Sequence, residues 1–189
     1  FRIDLRGEAD RSKEDVIYAD NGSRREIPDY FSVTQGRVST GTNRNAFGGH
    51  EARLSSRSTN QVTWNWDDLA PGVYRIATTW YGNPRSAAED APFEVTTTAS
   101  ASCEIPGSCG VQLKVVDQRV RPGDVDESFY EAGANWIELF DRVTVGDDGD
   151  LAVTLTSTSK GWVYADAIRL EPLDSSELAP TSELRLIDE

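Results

Sequence analysis

The sequence contains little of what metal sites and membrane spans require. Among its 189 residues there is no methionine, one histidine (His50) and two cysteines, Cys103 and Cys109. These three side chains cannot by themselves complete a four-ligand zinc site. No apolar run approaches the roughly 18–20 residues that span a bilayer, and no cleavable signal segment is visible. We expect no membrane span, and the absence of methionine at position 1 indicates a piece processed or excised from a longer chain.

Positive charge is also scarce. Lys and Arg total 19 and Asp and Glu total 32, so the formal net charge is 19 − 32 = −13. Nucleic acid as a partner is therefore excluded, because phosphates require a basic face. Such a surface suits a salty or divalent-rich exterior, and it equally fits an ordinary acidic surface in water.

Helical periodicity is almost absent, and short alternating runs rich in Val, Thr, Trp and Tyr replace it. Residues 61–66 place Val62, Trp64 and Trp66 on one face, and 73–80 follow after a turn, which predicts a hairpin. Further strands are predicted over 16–18, 31–33, 51–55, 93–95, 111–116, 137–145, 151–155 and 162–170. Such a series of short strands predicts an all-β fold, a jelly-roll-type antiparallel β-sandwich.

The expected single domain covers residues 15–173, since no Pro/Ser-rich linker interrupts it. Residues 1–14 are interpreted as an N-terminal edge strand or a linker, because residues 1–5 alternate apolar and charged side chains. Residues 174–189 are polar and are interpreted as a linker or the start of the next module. Neighbouring domains of the same polypeptide are therefore expected partners.

Cys103 and Cys109 flank a turn at Pro106-Gly107. Reversal of the chain there brings the two sulfurs together, so we predict a disulfide between them, with free thiols or a metal as the alternatives. One such bridge would stabilise the loop by about 2 kcal/mol.

Four segments together resemble a known family. They are Asp20-Asn-Gly22 with Phe31 and Gly48-Gly49; Val62-Thr-Trp64 with 69–74 and Thr79-Trp80; Asn83 with Ala91-Pro-Phe93 and Val116-Asp-Gln118; and Trp136-Ile-Glu-Leu139 with 164–169. In this order, from Ile17 to Leu170, they resemble the golvesin/xanthan-lyase carbohydrate-binding-like domain. The resemblance implies a jelly-roll accessory module of secreted or cell-surface proteins. The sequence departs from the family pattern in the cysteine loop and over 123–134.

No catalytic constellation is evident, so we expect no enzymatic activity. A triad requires a positioned base oriented by a third group, and nothing marks one around His50. Asp166 is the one acid that stands out, because it shares its face with Tyr164, Ile168 and Leu170. A carboxylate among apolar neighbours must be paired or hydrogen-bonded, so Asp166 is predicted to be a structural buried acid.

No cofactor is certain from the sequence, and calcium is the ion expected if one is bound. Asp147, Asp148 and Asp150 cluster around Gly149 in a turn, and hard oxygen ligands suit Ca²⁺. The spacing does not match an EF-hand loop. A solvated acidic turn is the alternative interpretation.

Sugar binding requires an aromatic platform and a few polar groups. At least one of Trp64 and Trp66 is expected in the core, because both share a face with Val62, and Trp80 is expected there as well. Rings in loops are better candidates, and the predicted ligand-binding residues are Tyr30, Tyr81, Tyr130 and Trp162. Packed or incidental surface rings are the alternative for each of them.

The sequence and the resemblance together predict a non-catalytic carbohydrate-binding or adhesion module of a larger bacterial protein, extracellular or on the cell surface. Its expected ligand is a polysaccharide or a cell-surface glycan. The alternative is a purely structural module of a multi-domain surface or fibrous protein without a soluble ligand. A glycoside-active hydrolase is a third, less favoured interpretation, because paired carboxylates among 32 acids carry little information.

Overall fold

The computed structural model describes residues 16–22, 27–56, 58–81, 83–98 and 110–174. These residues form the following thirteen strands: β1 (Ile17–Asp20), β2 (Phe31–Gln35), β3 (Val38–Thr42), β4 (His50–Leu54), β5 (Gln61–Trp66), β6 (Gly72–Thr79), β7 (Ala91–Thr97), β8 (Val111–Val116), β9 (Phe129–Glu131), β10 (Ala134–Val145), β11 (Leu151–Thr156), β12 (Val163–Ala165) and β13 (Ala167–Leu173). Short 3₁₀ turns occupy Phe47–Gly49 and Pro122–Asp124.

Two five-stranded antiparallel sheets form the sandwich. One has the order β1-β13-β6-β10-β9 and the other β2-β5-β11-β7-β8. A third, three-stranded sheet has the order β12-β4-β3. The all-β fold and its single antiparallel sandwich confirm the prediction from the sequence.

The alternation of side chains explains how the layers close. Val153 of β11 lies opposite Trp64 of β5 on one side and Val95 of β7 on the other, and all three are fully buried. Residues opposite each other in antiparallel strands share a face, so these strands present one apolar surface to the interior. Residues of the other large sheet, including Ile76 and Leu170, complete the same core. Trp80 is also buried, as expected.

The strand predicted over 162–170 is two strands. The chain leaves the three-stranded sheet after β12 and enters a five-stranded sheet at β13, with Asp166 between them. The change of sheet at this residue cannot be read from the alternation of apolar residues, which continues through it. β3 and β9 were not predicted, since β3 is rich in small polar residues and β9 has only three residues.

The three-stranded sheet positions the site described below. Leu54 of β4 lies opposite Val38 and Val163, and its side chain packs in the core. The next row of paired residues across the three strands, one position along from Leu54, therefore faces the other side of the sheet. That row consists of Ser39, Arg53 and Tyr164.

Several predictions fall outside the described residues. They are the disulfide between Cys103 and Cys109, the N-terminal segment 1–14 and the C-terminal segment beyond residue 174. Within the described part of the chain, no helix has the length and apolar character needed to cross a membrane.

Candidate functional site

An open cleft of about 490 Å³ lies along the outer side of the three-stranded sheet. Its described lining combines aromatic, charged and small polar side chains: Ser39, Asn43, Glu51, Arg53, Tyr81, Asn83, Ser86, Arg121, Trp162 and Tyr164. Two of the four predicted ligand-binding rings, Tyr81 and Trp162, are therefore brought to the same place.

Trp162 is held at the rim of the cleft by the loop that precedes β7. Its backbone N–H donates to the carbonyl of Ser86 (2.7 Å), and its carbonyl accepts from the N–H of Ala88 (2.9 Å). Gly161 allows this close approach: it has φ +76°, and a Cβ atom there would lie 2.7 Å from the carbonyl of Ala87. The indole remains 40% exposed. The ring is thus fixed by its backbone and open to solvent.

Tyr81 lies two residues beyond the end of β6, and the guanidinium of Arg121 stacks over its ring. The distance from the Arg121 Cζ atom to the ring centroid is 4.2 Å, within the range of a cation–π contact. Arg121 itself precedes Pro122, which restricts its backbone to the extended conformation that it adopts. The stack fixes the plane of the guanidinium and of the ring together.

Tyr164 forms the floor of the cleft, and Gln118 positions its backbone. The fully buried Gln118 side chain donates to the carbonyl of Tyr164 (2.7 Å) and accepts from its N–H (2.8 Å). It therefore acts as an additional strand partner for β12. The hydroxyls of Tyr164 and Ser86 share a hydrogen bond of 3.2 Å.

Glu51 and Arg53 form an ion pair on β4. Both Nε and Nη2 of Arg53 donate to Oε1 of Glu51, at 3.1 and 2.9 Å. Glu51 is only 1% exposed, and its second oxygen, Oε2, is buried without a hydrogen-bond partner. Glu51 lines the cleft, but this oxygen lies behind its wall, so Glu51 contributes to the site by holding Arg53.

The other two predicted rings lie elsewhere. Tyr30 stacks on Trp66 with centroids 6.4 Å apart, and burial is the main cause of the raised pKa of its hydroxyl. Tyr130 is 71% exposed on β9, beside Phe129 and Arg169. Neither residue lines the cleft with Tyr81 and Trp162.

Asp166 is 2% exposed and lies between β12 and β13, where its Oδ2 accepts from the N–H of Phe47 (3.1 Å). Desolvation raises the pKa of this carboxyl well above its ordinary value, and repulsion from Asp20 and Glu51 raises it further. The described residues provide no ion-pair partner for Asp166. The side chain is not part of the cleft lining.

The acidic turn at Asp147, Asp148 and Asp150 lies at the surface. The hydroxyl of Thr98 donates to Asp148 and, at 3.4 Å, to Asp150. This hydrogen bond from Thr98 is the main cause of the lowered pKa of Asp148. Among the residues that are described, no three His, Cys, Asp or Glu side chains form a group that could hold a metal ion. Calcium at this turn remains a prediction.

Sequence reasoning did not single out Glu51, Arg53 and Arg121. The alternation Glu51-Ala-Arg53 within a predicted strand was an available signal, because side chains two residues apart share a face. Arg121 had no such signal, since it reaches the cleft from a loop far from β4 in the sequence.

No family model matches the sequence, and no curated protein matches it. The resemblance to the golvesin/xanthan-lyase domain is therefore without support from a family model. Among solved structures, a xanthan lyase from Paenibacillus is similar over 84% of this chain, with a TM-score of 0.59 and 17% identity. The chain spans only 13% of that lyase. This likeness shows a shared fold.

Two further structures match more weakly. TmCBM61, solved in complex with β-1,4-galactotriose, has a TM-score of 0.42 and 14% identity, over 76% of this chain and 87% of that one. The enzymatically active domain of tailspike protein 4 from bacteriophage CBA120 has a TM-score of 0.38 and 11% identity, over 80% and 20% of the two chains.

Proposed function

We propose that this domain is a non-catalytic carbohydrate-binding module of a larger extracellular or cell-surface protein, and that the cleft binds polysaccharide. The observation that carries the proposal is the convergence of Tyr81 and Trp162 with polar side chains in one open cleft. Both rings were selected from the sequence as candidates for sugar contact, on separate loops.

The chemistry of the lining fits a sugar. An aromatic face accepts the apolar C–H surface of a pyranose ring, while polar groups around it bind the hydroxyls. Trp162 offers an exposed ring, and the half-exposed guanidinium of Arg53 offers hydrogen-bond donors for hydroxyls. Because the cleft is open, it can bind an internal segment of a long polymer and does not require a chain end.

The shared fold with part of a xanthan lyase supports this function. This chain matches 13% of that enzyme, a share that suits an accessory domain within a larger polysaccharide-active protein. The acidic composition is compatible with an extracellular or cell-surface location.

The absence of catalysis is part of the proposal. Glycoside hydrolysis uses two carboxyl groups on either side of the bond, roughly 5–10 Å apart. Glu51 is the one carboxylate among the described residues that line the cleft, and Arg53 neutralises it. Turnover of any glycan by the purified domain would replace this proposal with that of an enzyme.

A structural module is the second candidate, favoured by one observation. Val111, Leu113 and Val115 share the outer face of the edge strand β8, and each is more than half exposed. An apolar stripe of this kind suits contact with a neighbouring domain of the same polypeptide.

The test is binding of a polysaccharide panel by affinity electrophoresis and calorimetry. We expect Trp162→Ala and Tyr81→Ala to weaken binding by about tenfold or more, equivalent to about 1.4 kcal/mol. Tyr130→Ala is the matched control, because it removes an exposed ring outside the cleft. Wild-type protein that binds no polysaccharide, or binding that survives both cleft variants, would contradict the proposal.

A further inference from the structure

Arg121 is placed at the junction of two clefts. It lines the cleft described above and also a second one of about 560 Å³, which extends along Thr79 and the 133–135 segment. Tyr81 lines both clefts as well. The stacked pair of Tyr81 and Arg121 therefore forms a ridge over which a chain occupying both clefts must pass.

The charge of Arg121 is not compensated within the described residues. Two nearby arginines are paired with carboxylates at 2.9 Å or less. One is Arg53, which lines the same cleft, and the other is Arg119, two residues away in the sequence. Arg121 makes no ion pair, and its Nε atom is buried without a hydrogen-bond partner. An arginine that lines an open cleft without a carboxylate partner leaves its charge available to an anionic ligand.

The described lining of the cleft is locally positive in an acidic protein. It contains one acid, Glu51, and two arginines, Arg53 and Arg121, so its formal charge is −1 + 2 = +1. The whole chain carries −13. Because field lines concentrate in clefts, this local excess attracts anions that the remainder of the surface repels.

The geometry of the guanidinium selects the kind of anion. The guanidinium lies over the Tyr81 ring, with its Cζ atom 4.2 Å from the ring centroid, and it also lines the cleft. A carboxylate matches the edge of a guanidinium with two parallel hydrogen bonds, an arrangement that lysine cannot reproduce.

We propose that the glycan bound in this cleft is acidic and that Arg121 binds a carboxylate on its sugar units, as in a polymer of hexuronic acids. This inference rests on the proposed function, because it names the class of polysaccharide that the cleft takes. Tyr81 then has two roles: it contacts the sugar and it holds the guanidinium in the orientation that binds the carboxylate.

The experiment uses polymers that differ only in the carboxylate. Xanthan, polygalacturonate and alginate are each compared with their carboxyl-reduced, neutral forms by calorimetry. We expect the wild-type domain to bind at least one acidic polymer about tenfold more tightly than its reduced form. Arg121→Gln should lower the affinity for the acidic polymer to that for its reduced form, and Arg121→Lys should restore only part of the preference.

Arg119→Gln is the matched control, because it removes an exposed arginine two residues away that already has carboxylate partners. It should leave the preference unchanged. A thermal melt of each variant verifies that it is folded. Equal binding of acidic and reduced polymers, or an acidic preference that survives Arg121→Gln, overturns the inference.

The outcomes separate the two proposals. Acidic and reduced polymers that bind equally well, and that Trp162→Ala weakens while Arg121→Gln does not, would leave the binding function in place and remove the acidic ligand. Sulfated dextran that binds as tightly as the carboxylated polymers and depends equally on Arg121 would overturn the carboxylate assignment. No binding of any polymer by the wild-type domain would contradict both.

Discussion

Glu51 lies on a strand of the small sheet and Asp166 lies where the chain leaves that sheet; the two acids are similarly buried, yet their surroundings differ. Each is at most 2% exposed. Glu51 lines the cleft and pairs with Arg53, and its second oxygen is buried without a hydrogen-bond partner. Asp166 has a single backbone N–H donor, that of Phe47, and lies away from the cleft.

Burial alone therefore does not identify a functional acid. A buried carboxylate that lines a cleft and pairs with a cationic side chain can hold that cation in place for a ligand. A buried carboxylate without such a partner retains its proton and contributes to the interior. We therefore assign Glu51 to the site and Asp166 to the fold.

The largest expected effect follows removal of the cation beside Glu51. Arg53→Gln should lower the free energy of unfolding by about 2–3 kcal/mol at pH 7, less than for a fully buried pair because Arg53 is half exposed. The double variant Glu51→Gln/Arg53→Gln should recover most of this loss. Urea denaturation measures both, and Arg119→Gln, at an exposed pair, should cost under about 1 kcal/mol. Equal stability of Arg53→Gln and the wild-type protein would contradict the distinction between Glu51, which depends on a cationic partner, and Asp166, which has none.

The next largest effect concerns the hydrogen bond that the Asp166 side chain accepts. Asp166→Ala should be less stable than Asp166→Asn by about 2 kcal/mol, because alanine leaves the buried N–H of Phe47 without an acceptor while asparagine keeps one. Urea denaturation at one pH is sufficient. If the two variants unfold at the same urea concentration, the hydrogen bond contributes nothing and the structural role of Asp166 is wrong.

A pH series tests the protonation of Asp166. Burial raises the pKa of the carboxyl, so the unfolded chain releases its proton near the ordinary value of 3.8 while the folded chain retains it to higher pH. The stability that this group contributes is therefore present at low pH and is lost as the pH rises through the folded pKa. Asp166→Asn should gain stability over wild type by at most about 1.4 kcal/mol per pH unit above pH 4.

The control for that series is Asp148→Asn, at an exposed acid whose pKa is lowered, so that its advantage should not grow with pH. If Asp166→Asn were instead less stable than wild type at pH 8, Asp166 would hold a cation, and its contrast with Glu51 would disappear.

Polysaccharide binding should depend on Glu51 and not on Asp166. Glu51→Gln should weaken polysaccharide binding by about fivefold, roughly 1 kcal/mol, because an amide holds the guanidinium of Arg53 in the cleft less firmly than a carboxylate does. Asp166→Asn should bind as the wild type does. Calorimetry with the tightest polymer of the panel measures both, and the reverse pattern would exchange the roles assigned to the two residues.

The smallest effect concerns the exposed acids of the turn around Gly149. We expect a chelator to leave the melting midpoint unchanged within about 1 °C, since these carboxylates lie at the surface and Thr98 donates to two of them, Asp148 and Asp150. A drop of several degrees that added calcium reverses would instead establish the calcium site predicted at Asp147, Asp148 and Asp150.

The sequence predicts strands where side chains alternate strongly. The strands at residues 61–66 and 111–116 have the predicted bounds. In both, apolar and polar side chains alternate along the strand, and turn residues mark its two ends. Val38–Thr42 escapes prediction because its polar, glycine-containing sequence acquires strand structure only by pairing with β4. The split at Asp166 escapes it because a change of sheet leaves the periodicity intact.

The site is predictable only in part, for the same reason. Tyr81 and Trp162 stand out because each lies in a loop, where an aromatic ring is often exposed. Tyr30 has the same signal but stacks on Trp66, a contact that depends on tertiary packing. Arg121 joins the cleft through the folding of a distant loop, which no local pattern encodes.

The most direct test of the account is a ¹⁵N correlation spectrum of the tryptophan indole groups during titration with the polysaccharide that binds. We expect the Trp162 signal, assigned by Trp162→Phe, to shift with ligand, and the signals of the buried Trp64, Trp80 and Trp136 to stay in place. Saturable binding that leaves the Trp162 signal unmoved would contradict the assignment of this cleft as the glycan site.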